Sequence, residues 1–166
     1  MKTLVEIGYI YEALGASAPD SACGIVTKGL KQINLDVPQN LYYLAEFKRL
    51  FNCKSIDKLD TSITGLLKDA KSLTEPVDLY HAYLLNRNAK TYGLKSSSDF
   101  TKSLTDKSVK DVLDKFNADD WSYNGQSFSA DSLRVVELLS YVNNTNADKK
   151  VTGALNKLLA QVYEDD

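Results

Sequence analysis

Residues 56–70, IDKLDTSITGLLKDA, decide the fold class. Ile56, Leu59, Ile63, Leu66, Leu67 and Ala70 recur at i, i+3, i+4 and i+7, with Asp, Lys, Ser and Thr between them. That spacing predicts a helix with one apolar face. Three more segments read the same way: 20–33 (Ala22, Ile25, Val26, Gly29, Leu30, Ile33), 105–116 (Val109, Val112, Leu113, Phe116) and 148–163 (Val151, Ala154, Leu155, Leu158, Leu159, Val162).

Between these narrow helices lie broad ones, apolar around more than half their circumference: 3–14, 38–52, 76–92 and 131–142. A helix apolar on several sides is packed on several sides. The broad helices are therefore expected to form an inner layer and the narrow ones an outer layer. Pro38 and Pro76 suit first-turn positions, where the missing N–H costs nothing. Gly15 to Pro19 closes the first helix and Gly93 follows the fifth; Asp20, Ser96 to Ser98 and Asp99 offer caps. Leu4, Leu41 and Leu79 sit at equivalent places in three broad helices, 37 and 38 positions apart. Leu133 marks the fourth after a longer gap, which 117–128 (NADDWSYNGQSF) fills as an irregular insertion or a short β-hairpin around Asn124-Gly125. The expected fold is all-α: four consecutive antiparallel helix pairs forming an α/α solenoid or partial α/α toroid, in one domain over 1–166.

A chain of 166 residues that is 43% hydrophobic and 25% charged can bury a core. The net charge is -2 with the signs mixed, and no basic block suggests nucleic acid as a partner. No apolar run approaches the roughly 20 residues that span a bilayer. Glu6 falls where the apolar core of a signal peptide would lie, so the N-terminus is not read as one.

The two cysteines, Cys23 and Cys53, fall at the start of the second helix and just past the third. In an antiparallel stack those positions are level, so a disulfide is geometrically allowed; two buried free thiols fit the spacing as well. A bridge would stabilise by about 3–4 kcal/mol in the chain-entropy model. No second Cys or His pair is present for a zinc site.

Chemistry-bearing motifs are scarce. His81, the single histidine, neighbours Tyr80, but nothing in the sequence names a partner, and packing at a helix interface is its more ordinary role. HExxH, P-loop and GxGxxG motifs are missing, and no cofactor is expected. Asp119-Asp120 are adjacent acids that diverge unless a loop bends them together, and Asp165-Asp166 read as an exposed tail. The DDxxD and DxDD motifs of terpene cyclases do not occur, and Cys23 is followed by Gly-Ile-Val, unlike the Cys-Gly-Glu-Gln core of thioester domains. Asn143-Asn144-Thr145 is an N-glycosylation sequon after a helix. Exposed tyrosines, Tyr42 and Tyr92 among them, are places to look for partner contacts, although each could equally fill a helix interface.

The run Ala13-Leu14-Gly15-Ala16 through Pro19-Asp20, then Ala22-Cys23, then Asn40-Leu41-Tyr42-Tyr43-Leu44-Ala45 ending in Cys53, resembles the N-terminal lumenal domain of the ribophorin II family. Asp78-Leu79-Tyr80-His81-Ala82 and the stretch Trp121 to Leu139 resemble its later segments. Members are non-catalytic subunits of the endoplasmic-reticulum oligosaccharyltransferase complex. The resemblance implies an ER-lumenal location, a Cys23–Cys53 disulfide and a usable sequon at Asn143. It implies other subunits of that complex, and nascent polypeptides, as partners. It also implies a longer parent protein with a signal peptide before this region and membrane anchors after it. Asp120-Trp121-Ser122-Tyr123-Asn124-Gly125 lacks the double Trp and the Trp-Asp-Tyr order of the complex's catalytic WWDYG motif, so no catalytic role transfers. The alternatives are an α/α-toroid enzyme, built on His81 and Tyr80, and a cytosolic helical-repeat adaptor with free thiols.

Overall fold

The structure, a computed structural model, describes residues 1–17, 19, 21–94, 100, 107–127, 130–142 and 145–164. Among them are eight α-helices: α1 Lys2–Ala13, α2 Ser21–Gly29, α3 Pro38–Leu50, α4 Leu59–Lys68, α5 Pro76–Arg87, α6 Lys107–Lys115, α7 Ala130–Tyr141 and α8 Thr145–Glu164. The expected caps at Asp20, Ser96 to Ser98 and Asp99, and the tail Asp165-Asp166, lie outside the described residues. Among the described residues no helix is long and apolar enough to cross a membrane. The chain gathers into two compact units: Met1–Asp69 with His81–Ser97, and Ala70–Tyr80 with Ser98–Asp166.

In the first unit, periodicity and burial agree best at α4. Ile56, Leu59, Ile63 and Leu67 are buried and Leu66 is half-buried, as their spacing requires. Pro38 opens α3 at its first turn. Helical paths end here in one recurrent way. Gly15 takes φ +63, and Ala16 N–H reaches Tyr11 O while Gly15 N–H reaches Glu12 O. Asn52 (φ 50) and Gly93 (φ 76) repeat the pattern, through Cys53 N–H to Lys48 O and Leu94 N–H to Ala89 O. These are Schellman turns, which satisfy the last carbonyls and need a residue tolerant of left-handed backbone.

α1 packs on α3 through Val5 and Gly8. A Cβ on Gly8 would stand 2.8 Å from Phe51 Cε2 and 2.9 Å from Leu50 Cβ, so only glycine fits that approach. Phe47 and Phe51 stack with ring centroids 4.3 Å apart beneath it. The broad α1 was expected in an inner layer, and here the structure differs. Only Val5 and Gly8 are buried, while Ile7, Ile10 (59% exposed) and Leu14 (75% exposed) form an opposite apolar face open to solvent.

The helical class fits, and the second unit adds a short sheet to its helices. β1 Phe116–Asn117, β2 Ser122–Tyr123 and β3 Gln126–Ser127 form an antiparallel sheet in that order. Asn124 (φ 54) and Gly125 (φ 78) join β2 to β3, with Tyr123 opposite Gln126. Two central residues at positive φ make a type I′ turn, the geometry an Asn-Gly pair favours. The hairpin expected near 117–128 is thus present, with one strand more. Phe116, assigned to a helix by its spacing, pairs instead with Tyr123. Asn117 Oδ1 accepts the Asp119 N–H and Asp120 Oδ1 accepts the Ser122 N–H; these two side-chain turns reverse the chain. α7 buries Ser132, Val135, Leu138 and Leu139, and α8 buries Ala147, Val151 and Ala154. Leu133, taken as the fourth repeat marker, is 57% exposed; the helix turns Ser132 and Val135 inward instead.

Candidate functional site

Cys23, in the first turn of α2, and Cys53, placed by the Asn52 turn after α3, are joined as a disulfide with Cα atoms 5.7 Å apart. Beside it lies a polar cluster that the sequence reading did not single out. Glu46 sits on the otherwise apolar side of α3, 3% exposed. Its Oε2 accepts the Tyr9 hydroxyl at 2.6 Å and the Arg49 Nη2 at 3.0 Å, and its Oε1 accepts the Tyr92 hydroxyl. Arg49 also donates through Nη1 to Glu12 Oε1 at 2.6 Å. One carboxylate therefore ties α1, α3 and the turns after α5 together.

The electrostatics follow from these contacts. Burial, reinforced by the Glu46 hydrogen bond, raises Tyr9 and Tyr92 well above the ordinary tyrosine range. The Glu12 hydrogen bond, with Glu46 behind it, raises Arg49, and Arg49 in turn lowers Glu12. A carboxylate holding two phenols and a guanidinium has its acceptor sites engaged, so it is equipped to clasp rather than to take a proton from a substrate. Tyr92 is consequently no partner-facing tyrosine: it is 7% exposed, with its hydroxyl turned inward. Tyr42 is half-buried. Its ring lies 5.5 Å from both Tyr43 and His81. The signal for Glu46 was available in part, as an acid within an apolar helix with Arg49 at i+3. Its partners Tyr9 and Tyr92 are too distant in sequence to be read.

A cavity of about 220 Å³ opens against the clasp, lined by Lys48, Arg49, Asn52, Cys53, Thr91 and Tyr92, with Ala45 behind them. Lys48 is engaged by Asp60 at 2.9 Å.

Tyr80 and His81 take different directions, as neighbours on a helix do. Tyr80 donates its hydroxyl to Glu137 Oε2 at 2.6 Å within the second unit. His81, 3% exposed, lies among Tyr42 and Tyr43 in the first. Asp119 pairs with Lys157, and Asp120 is spent on its turn. The sequon residue Asn143 lies outside the described residues. Among the described residues no group of three or more His, Cys, Asp or Glu could hold a metal ion.

Compared with known proteins, residues 10–165 match the model of the Ribophorin II N-terminal domain. No curated protein and no solved structure matches the chain.

Proposed function

The chain belongs to the ribophorin II N-terminal domain family, and from that premise we propose that it is a non-catalytic, lumenal domain of a subunit of the endoplasmic-reticulum oligosaccharyltransferase complex. The match over 10–165 carries this reading. In it, the domain supports N-glycosylation through contacts with other subunits and with nascent chains. The apolar face of α1, Ile7, Ile10 and Leu14, is the surface this reading assigns to a subunit contact, because large apolar side chains exposed together mark interaction surfaces. The same reading makes residues 1–166 one helical-repeat domain of the α/α solenoid or toroid kind within a membrane-anchored parent. The family match runs through both compact units, and neither unit is a continuous segment. It further makes Cys23–Cys53 a bridge formed in an oxidising lumen and Asn143 a glycan acceptor.

The α/α-toroid enzyme reading needs His81 and Tyr80 to share a site with a carboxylate. Their separate directions favour the subunit reading.

The test is affinity purification of the tagged full-length protein from detergent-solubilised membranes of its source cells. Co-purification of glycan-transfer activity and of the catalytic subunit is expected, and Ile10→Lys should weaken it at least several-fold. Purification free of that activity, or recovery in the cytosolic fraction, would overturn the reading.

A further inference from the structure

The second unit carries a cleft of about 340 Å³ on one side of α8. That is at the small end of the roughly 300–1,000 Å³ typical of small-molecule sites. Lys149, Lys150 and Lys157 line it with Asn146, Gly153 and Asp119. Lys149, Gly153 and Lys157 follow one another at i, i+4 and i+8, so the two lysines stand roughly 12 Å apart along one helix face. The chain has no basic block in sequence; the helix assembles this one.

The three ammonium groups are differently held. Lys150 Nζ donates to Leu113 O, one of the last carbonyls of α6, which fixes the group without neutralising it. Lys157 is matched by Asp119 across the cleft. Lys149 is exposed and has no ion-pair partner among the described residues. The lining thus keeps about two positive charges in excess. Gly153 leaves the floor open, with nothing within 4 Å of where its Cβ would stand.

We propose that this cleft binds a phosphate monoester. A dianion matches the charge excess, whereas a single carboxylate leaves half of it unmatched. Lys149 is the uncommitted donor, while Lys150, held on Leu113 O, and Lys157, paired with Asp119, add positive field on either side of the open floor. The ester substituent lies along the side opened by Gly153. This inference does not depend on the subunit reading.

Two probes separate a soluble source from a lipid one: glucose 1-phosphate, followed by amide shifts of the 166-residue chain, and phosphatidic acid vesicles, followed by co-sedimentation. Saturable binding is expected with at least one, with shifts confined to 113–119 and 146–157 in the soluble case. Lys149→Glu should weaken it at least tenfold. Gly153→Leu, which fills the floor and leaves every charge in place, should weaken it comparably, with the thermal transition retained. Lys149→Arg should keep it. Raising salt from 0.05 to 0.5 M should weaken all of it. Non-saturating shifts spread over the lysines of the whole chain, or equal binding by wild type and both weakening variants, would overturn the proposal.

Discussion

The two compact units hold themselves together by different means. In the first, named bonds join stretches far apart in sequence. The disulfide spans 30 positions, and Glu46 reaches 37 positions to Tyr9 and 46 to Tyr92. In the second, a three-stranded ladder within Phe116–Ser127 closes locally, through the side-chain turns at Asn117 and Asp120 and the two-residue turn Asn124-Gly125. Its buried long-range anchor is an aromatic wedge, as Trp121 at φ 53 donates its indole N–H to Ala154 O in α8 at 3.0 Å, beside the half-buried Tyr80–Glu137 bond and the Lys150 and Lys157 contacts nearer the surface. Covalent and ionic cross-links restrain the unfolded chain or cost much when broken singly; an aromatic wedge contributes by volume. The first unit should therefore be sensitive to chemistry, namely redox and pH, and the second to shape.

The largest expected effect tests the wedge. Trp121→Ala should cost about 3–5 kcal/mol, read by urea denaturation, because it removes buried volume together with the Ala154 hydrogen bond. A loss below about 1 kcal/mol would mean the sheet holds α8 without it. Next comes the bridge. Cys23→Ser with Cys53→Ser should cost about 3–4 kcal/mol, seen by calorimetry as a fall on the order of 10 °C. Reductant should reproduce that fall in wild type and leave the double variant unchanged.

Glu46→Ala should cost about 3 kcal/mol, since it leaves the buried Tyr92 hydroxyl without its carboxylate, removes the Tyr9 bond and takes from Arg49 one of its two carboxylates. It should also change the response to alkali. The folded state binds the Tyr9 and Tyr92 protons more tightly than the unfolded chain does. The stability they contribute is whole below about pH 10 and falls as pH rises beyond it toward their raised folded values. In Glu46→Ala that fall should be shallower, and an unchanged alkaline profile would contradict the clasp. At the acid end Glu12, lowered by Arg49, contributes stability present above the ordinary carboxylate range and lost as pH falls through its depressed value. The smallest effect is Gly8→Ala, about 1–3 kcal/mol from overpacking against Leu50 and Phe51. If it proved stabilising instead, α1 would have to be free to move off α3.

These contrasts follow what was legible in the sequence. The helices were, because α4 repeats at 3.6 residues over three turns, and so was the hairpin, because Asn124-Gly125 is a chemical signal of its own. The third strand was not, since Phe116-Asn117 is too short to show alternation. The exposure of α1 was not either. Apolar residues around a helix say how many faces could be covered, not how many neighbours arrive. The cysteine positions were legible as helix ends, while the Glu46 cluster was not, because it is made of partners distant in sequence whose meeting depends on the packing of α1 on α3.

The reading of this chain as a lumenal subunit domain is tested most directly by the state of Cys23 and Cys53 in the native full-length protein. Membranes from the source cells would be alkylated before lysis, and the protein digested and weighed without and with reductant. The account predicts one cross-linked peptide pair, unalkylated until reduced, with deglycosylation converting Asn143 to Asp in the same digest. Two alkylated cysteines and an unmodified Asn143 would contradict it.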